Sequence, residues 1–221
     1  MFLKKNKIDI LPKQNAIANN VLLIVLITIS TISGVLASSL TVKVTDKAGI
    51  AIENAVVYVE PTNKISVLKT PIATATIEQK GRKFSPLVTV VQTGSNISFP
   101  NHDTVRHHVY SFSPAKTFEL KLYAGVPTAP VVFNKPGTAI LGCNIHDQML
   151  AFVHIVDTPY FAKTDNTGNA VLKDVPNGAY ALKAWHYALA EENKVVEKTM
   201  QLNGDQQAEL ALELKPLLLP K

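Results

Sequence analysis

Short runs rich in Val, Ile and Thr, each closed by Gly, Pro, Asn or Asp, recur along this chain, and that punctuation restricts it to strands joined by turns. Thirteen prolines and ten glycines leave little room for long helices, since proline removes a backbone donor and glycine gives up conformational freedom. The apolar fraction of 47% over 221 residues is enough for a packed core, in one large domain or two small ones. The fold class expected is all-β.

Residues 40–60 alternate around a turn at 46–49 and read as two strands. A looser stretch follows over 61–71. Strands are predicted over 75–79, 88–92 and 96–99, with turns at Lys80-Gly81 and Thr93-Gly94, then over 108–112, 116–122, 138–143 and 151–157. From Pro159 the pattern changes: Asp165-Asn-Thr-Gly168 and Pro176-Asn-Gly178 are turn signals between alternating segments. Residues 194–202 and 207–215 supply two more strands, although 207–214 also fits a short helix.

The chain begins with Lys4, Lys5, Lys7 and Lys13 against one acid, Asp9, and runs apolar from Val21 to Ile32 before Gly34-Val35-Leu36-Ala37. A basic start, an apolar middle and small residues before a cut describe an export signal. Residues 1–37 are read as that signal, cleaved after Ala37, which places the remainder in the periplasm or outside the cell. The apolar stretch is shorter than the ~20 residues a spanning helix needs, so membrane contact is expected only through an uncleaved signal. Without the signal, 18 basic residues face 16 acidic ones, a net charge of +2. No Lys/Arg cluster is interleaved with aromatics, so nucleic-acid binding is not expected.

An exported chain with one cysteine, Cys143, cannot close an internal disulfide. A lone thiol is often a small buried hydrophobe, and a methionine such as Met149 is often core filler. The segment Leu141-Gly-Cys143-Asn-Ile-His146-Asp-Gln-Met149 is harder to dismiss, because it spaces a thiol, an imidazole and a thioether at the end of a strand. A loop of that length can fold the three side chains onto one centre. Together they are three ligands of a copper electron-transfer site, which a second histidine would complete. The stretch Phe99-Pro-Asn101-His-Asp-Thr-Val-Arg-His107-His108 offers one. His107 and His108 fall on opposite faces of a strand, so only one of them can point at Cys143.

Rival chemistries fail mostly on the cysteine count. Structural zinc favours several thiolates, a dinuclear copper centre needs two bridging thiolates, and covalent haem needs Cys-x-x-Cys-His. A Cys143/His146 nucleophilic pair is disfavoured, since the three-residue spacing on a tight loop suits convergence on a metal better than in-line proton transfer. His102, His108, His154 and His186 are read as structural histidines.

On these residues, 74–157 resembles a cupredoxin of the plastocyanin and amicyanin type. Amicyanin shares the C-x2-H-x2-M spacing, and its first histidine lies six residues after an asparagine; here that count from Asn101 reaches His107. The stretches Phe84-Ser-Pro86 and Gly94-Ser-Asn-Ile-Ser-Phe99 look like the early strands of that fold. Residues 38–62 and 158–215, with their repeated Asp-x-x-Gly turns, resemble two parts of a carboxypeptidase regulatory-like (prealbumin-like) module. The whole resembles cupredoxin-like proteins found in methylamine-utilisation contexts. The resemblance implies a Greek-key β-sandwich combined with a second, prealbumin-like β-sandwich. It also implies a mononuclear type 1 copper ion held by His107, Cys143, His146 and Met149, outer-sphere electron transfer with His146 as the exit, a redox partner protein in the cell envelope, and no enzymatic turnover.

A copper-binding or copper-delivery protein of the envelope would use the same residues. A third possibility is a partner-binding module in which Trp185, His186 and Tyr187 make an aromatic contact, though core packing is the preferred reading of Trp185. Two departures from the family stand out. His108 replaces the asparagine that helps tie the two ligand loops together, and Asn144 replaces the small hydroxyl residue usual after the cysteine.

Overall fold

The computed structural model describes residues 37–63, 73–127, 129–191 and 194–216. The expected export signal lies outside them except for Ala37, as does most of the looser stretch over 61–71. Among the described residues there are seventeen strands and no helix. The N-terminal part gives β1 (Ala37–Asp46) and β2 (Val56–Pro61). The middle gives β3 (Thr74–Thr76), β4 (Glu78–Gln79), β5 (Phe84–Ser85), β6 (Val88–Gln92), β7 (Ser95–Ser98), β8 (His107–Ser113), β9 (Lys116–Tyr123), β10 (Val131–Phe133), β11 (Gly137–Cys143) and β12 (Leu150–Val156). The C-terminal part gives β13 (Phe161–Lys163), β14 (Asn169–Pro176), β15 (Gly178–Trp185), β16 (Val196–Leu202) and β17 (Gln206–Leu212).

The period-two pattern of β1 is a burial pattern: Leu40, Val42 and Val44 are fully buried while Thr41, Lys43 and Thr45 face outward. Its end is set by Asp46, whose Oδ1 accepts the N–H groups of Ala48 (2.9 Å) and Ile50 (2.8 Å), the local bonding that makes aspartate a turn former. Asp165 repeats the device with Thr167 (2.9 Å) and Asn169 (3.0 Å). The two turns touch where Val44 N–H donates to Gly168 O at 2.8 Å. Gly168 has φ of +79°, and a Cβ there would lie 2.5 Å from Val44 O, so the contact requires glycine.

Strands from both ends of the chain share two sheets. β1 lies between antiparallel β14 and parallel β17, and β2 lies between β13 and β15, with β16 beyond. Leu40, Val42, Val57, Val59, Leu172 and Leu182 form the centre of the cluster they bury. The middle strands make a five-stranded sheet, β6-β12-β11-β8-β9, a three-stranded sheet, β10-β7-β3, and the small pair β4-β5. Between them lies a second cluster that includes Ile77, Ile97, Phe99, Phe133, Leu141 and Val153.

Strand β12 belongs to both interiors. Ala151, Val153 and Ile155 point into the second cluster, whereas Phe152 and Val156 point into the first. Phe152 stacks on Tyr187 (centroids 4.9 Å, 13° between planes), and Trp185, 5% exposed, is a core residue.

The segment predicted as one strand over 75–79 divides into β3 and β4. Its middle residue, Ile77, is fully buried and donates its N–H to Ser98 O, after which Gln79 N–H turns to Pro100 O. β5, β10 and β13 are two- or three-residue strands, too short to carry a period in the sequence. Residues 206–212 are a strand rather than a helix, held by their parallel partner β1.

Candidate metal centre

Cys143 ends β11, where alternation sends Ala139, Leu141 and Cys143 inward and leaves Ile140 49% exposed. Antiparallel pairing sets Cys143 opposite Val109 and Gly142 opposite Tyr110, which brings the start of β8 beside the end of β11. His107, two residues before Val109 and on the same face, is completely buried. The chain then loops outward through half-buried His146 and returns through Met149, 1% exposed, whose N–H donates to His146 O at 2.9 Å. Cys143 and Met149 lie in one apolar cluster.

His107, Cys143 and His146 converge. Cys143 Sγ lies 3.8 Å from His107 Nδ1 and 4.0 Å from His146 Nδ1, and the two Nδ1 atoms are 3.2 Å apart. Among the described residues this is the group of His, Cys, Asp and Glu side chains placed to hold a metal ion. A point equidistant from the three donor atoms sits about 2.1 Å from each, the length of a first-row metal bond to nitrogen or sulfur. The donor triangle therefore fits an ion without rearrangement.

The orientation of His107 has its own support. Its Nε2 lies 2.8 Å from Asp103 Oδ2, so in the neutral ring the proton sits on Nε2 and the lone pair on Nδ1 faces Cys143. Asp103 is anchored in turn by the N–H groups of Gly81 (2.6 Å) and Arg82 (2.9 Å). Desolvation raises the Asp103 carboxyl, but hydrogen bonds from Arg82, His107 and Gly81 outweigh it and hold the group below the usual carboxylate range, so it remains an anion. Asp103 was not among the residues singled out in the sequence. Its signal there is an acid four residues before a candidate ligand.

Asn101, from which the count to His107 was made, builds the loop. Its Nδ2 donates to Val105 O (2.9 Å) and Tyr123 O (3.0 Å), and its Oδ1 accepts Asp103 N–H (2.9 Å). Beneath it the buried Gln79 donates to Phe99 O at 3.0 Å, and Tyr123 donates to the same carbonyl at 2.6 Å. Burial pushes the Tyr123 phenol up to about 12, so it serves as a neutral donor.

His108 points away from this centre. Its Nε2 lies 2.9 Å from Glu119 Oε1, and its ring meets Tyr110 edge-on at 6.2 Å. The loops are tied without an asparagine side chain at position 108, because Asn144 N–H donates to His108 O at 3.3 Å. His154 and His186 are each 5% exposed, and burial pushes both imidazoles down to about 4. His102 is exposed, 3.2 Å from Glu78.

No protein-family model and no curated protein sequence matches the chain. Solved structures that resemble part of it include a Cu-containing nitrite reductase from Thermus scotoductus SA-01, at 19% identity and TM-score 0.36 over 44% of this chain and 25% of that one. A purple cupredoxin from Nitrosopumilus maritimus aligns at 21% identity and TM-score 0.30, over 37% of this chain and 99% of its own. Amicyanin from Paracoccus versutus aligns at 15% identity and TM-score 0.32, over 45% and 98%. The alignment spans a quarter of the nitrite reductase, and likenesses this distant leave the reading of the centre to its own geometry.

Proposed function

We propose that this protein is an exported cupredoxin that holds one copper ion of type 1 character in the centre formed by His107, Cys143, His146 and Met149 and takes part in outer-sphere electron transfer. The observation that carries the reading is the convergence of one thiol and two imidazole Nδ1 atoms at 3.2 to 4.0 Å, with Met149 buried in the same cluster. A trigonal Cys/His/His set with a weak thioether is the combination that distinguishes a copper electron-transfer site from zinc, which prefers four comparable donors. Bound copper would supply a one-electron couple.

The chain's own contribution is preorganisation. Asp103 fixes the tautomer and rotation of His107, the β8–β11 register fixes Cys143 against it, and the Met149 N–H to His146 O bond closes the loop. Donors already held in place need little rearrangement between oxidation states. His146, less buried than His107, is the side where an envelope redox partner would approach. In this reading residues 1–37 direct export, 38–62 with 158–215 form a prealbumin-like module around the cupredoxin segment 74–157, and the protein makes and breaks no substrate bonds.

Adding copper(II) to the metal-free protein is expected to give an intense visible thiolate-to-copper band that disappears and returns on reduction and reoxidation. The Cys143→Ser variant is expected to lack it. Tight copper binding without a reversibly reducible coloured species would replace electron transfer by copper storage or delivery. A band that survives Cys143→Ser would refute the assignment of the centre.

A further inference from the structure

The turn from Lys80 to Lys83 that joins β4 to β5 is closed by two backbone hydrogen bonds, Lys80 N–H to Lys83 O at 3.1 Å and Lys83 N–H to Lys80 O at 3.3 Å. Its two central residues are both left-handed, Gly81 with φ of +62° and Arg82 with φ of +56°. Glycine adopts that conformation freely, whereas a residue with a side chain pays for it in steric strain. The strained conformation aims two successive amides at one anion. Gly81 N–H donates to Asp103 Oδ1 at 2.6 Å and Arg82 N–H to Asp103 Oδ2 at 2.9 Å. The same Oδ2 lies 2.8 Å from His107 Nε2. A backbone held in a costly shape to grip one carboxylate marks that carboxylate as functional.

The Asp103 side chain is 14% exposed and that of His107 is fully buried, so solvent screens the pair weakly. Asp103 is not one of the converging donors; its charge reaches them through the ring of His107, whose Nδ1 faces Cys143. A fixed negative charge beside a redox centre favours the state with the greater positive charge. Hydrogen bonding to an anion also makes an imidazole a stronger donor, which acts in the same direction. We propose that Asp103 is a positioning residue that also sets the reduction potential of the centre, its charge favouring the oxidised ion through His107. The inference rests on the centre holding copper.

Redox titration of the visible band in copper-loaded wild type, Asp103→Asn and Asp103→Glu tests it. Asp103→Asn removes the charge, so its affinity for copper(II) is expected to fall about tenfold more than its affinity for copper(I), which raises a one-electron potential by about 59 mV. Asp103→Glu keeps the charge and is expected to hold the potential nearer to the wild-type value. In the metal-free wild type, nitrogen-15 spectra are expected to show His107 protonated on Nε2. An Asp103→Asn potential equal to or below that of the wild type, or equal rises in both variants, would overturn the inference and leave the copper centre standing. His107 protonated on Nδ1 in the metal-free wild type would overturn it without any variant. A wild type that forms no coloured, reducible species would instead remove the copper reading beneath it.

Discussion

Lowering the pH from 7 to 5 should destabilise the metal-free fold through two histidines that lie outside the candidate metal centre. His154 and His186 titrate near 4 in the folded protein because burial disfavours their charged forms, whereas a histidine in the unfolded chain titrates near 6.5. Between those values the unfolded chain binds about one more proton per histidine, so stability falls as pH falls. It is complete above about pH 6.5 and declines until about pH 4, where the folded protein protonates as well. From pH 7 to 5 the loss is about 2 kcal/mol per residue, or about 4 kcal/mol for the pair. Urea unfolding followed by Trp185 fluorescence measures it, since unfolding free energy falls linearly with urea. His154→Phe should remove about half of the pH dependence. A stability that is level or rises from pH 7 to 5, or an identical loss in wild type and His154→Phe, would refute the account.

Asp103→Asn keeps the side-chain shape and removes the charge that fixes the His107 tautomer, so copper affinity should fall about tenfold or more in competition with a chelator; an unchanged affinity would show that packing alone orients the ring. Gly168→Ala forces a Cβ against a backbone carbonyl at 2.5 Å, with φ at +79°, and should cost about 2–4 kcal/mol in urea unfolding. Gly94→Ala, also at positive φ but into open space, should cost only about 1–2 kcal/mol. Gly142→Ala puts a Cβ 2.8 Å from the Tyr110 ring, a flexible neighbour, for about 1–3 kcal/mol. That cost should largely vanish in a Tyr110→Ala background, as a double-mutant cycle would measure.

Local chemistry made much of the fold readable. The strand predicted over 88–92 has the observed bounds of β6, those over 116–122 and 138–143 differ from β9 and β11 by one residue at one end, and the one over 151–157 is displaced from β12 by one residue. Each is rich in β-branched or large apolar residues and has a turn former behind it. Pairing was less readable: the parallel β1–β17 and β6–β12 contacts join segments far apart in sequence, and no local pattern encodes a partner. At the candidate centre, the donor types and spacing of Cys143, His146 and Met149 were evident in the chain. Alternation alone left His107 and His108 equivalent, and the register of β8 with β11 now puts His107 beside the thiol. Asp103 escaped notice because its role depends on the Gly81–Arg82 turn closing over it, a contact across twenty-odd residues.

Because β12 gives one face to each interior, it works as a party wall. In an ordinary two-faced strand a polar substitution on the outer side is cheap; here Phe152 and Val153 are neighbours in sequence and each is buried in a different cluster. A slip of one residue would exchange the two sets of side chains and spoil both interiors at once. Cutting out the middle segment as an independent unit would also strip the wall of Trp185 and Tyr187 and leave Phe152 facing water. Mutations in the terminal strands can thus reach the metal loop through the strand that begins one residue after Met149, so the two halves of this chain are free to diversify at their rims but must change together at the wall.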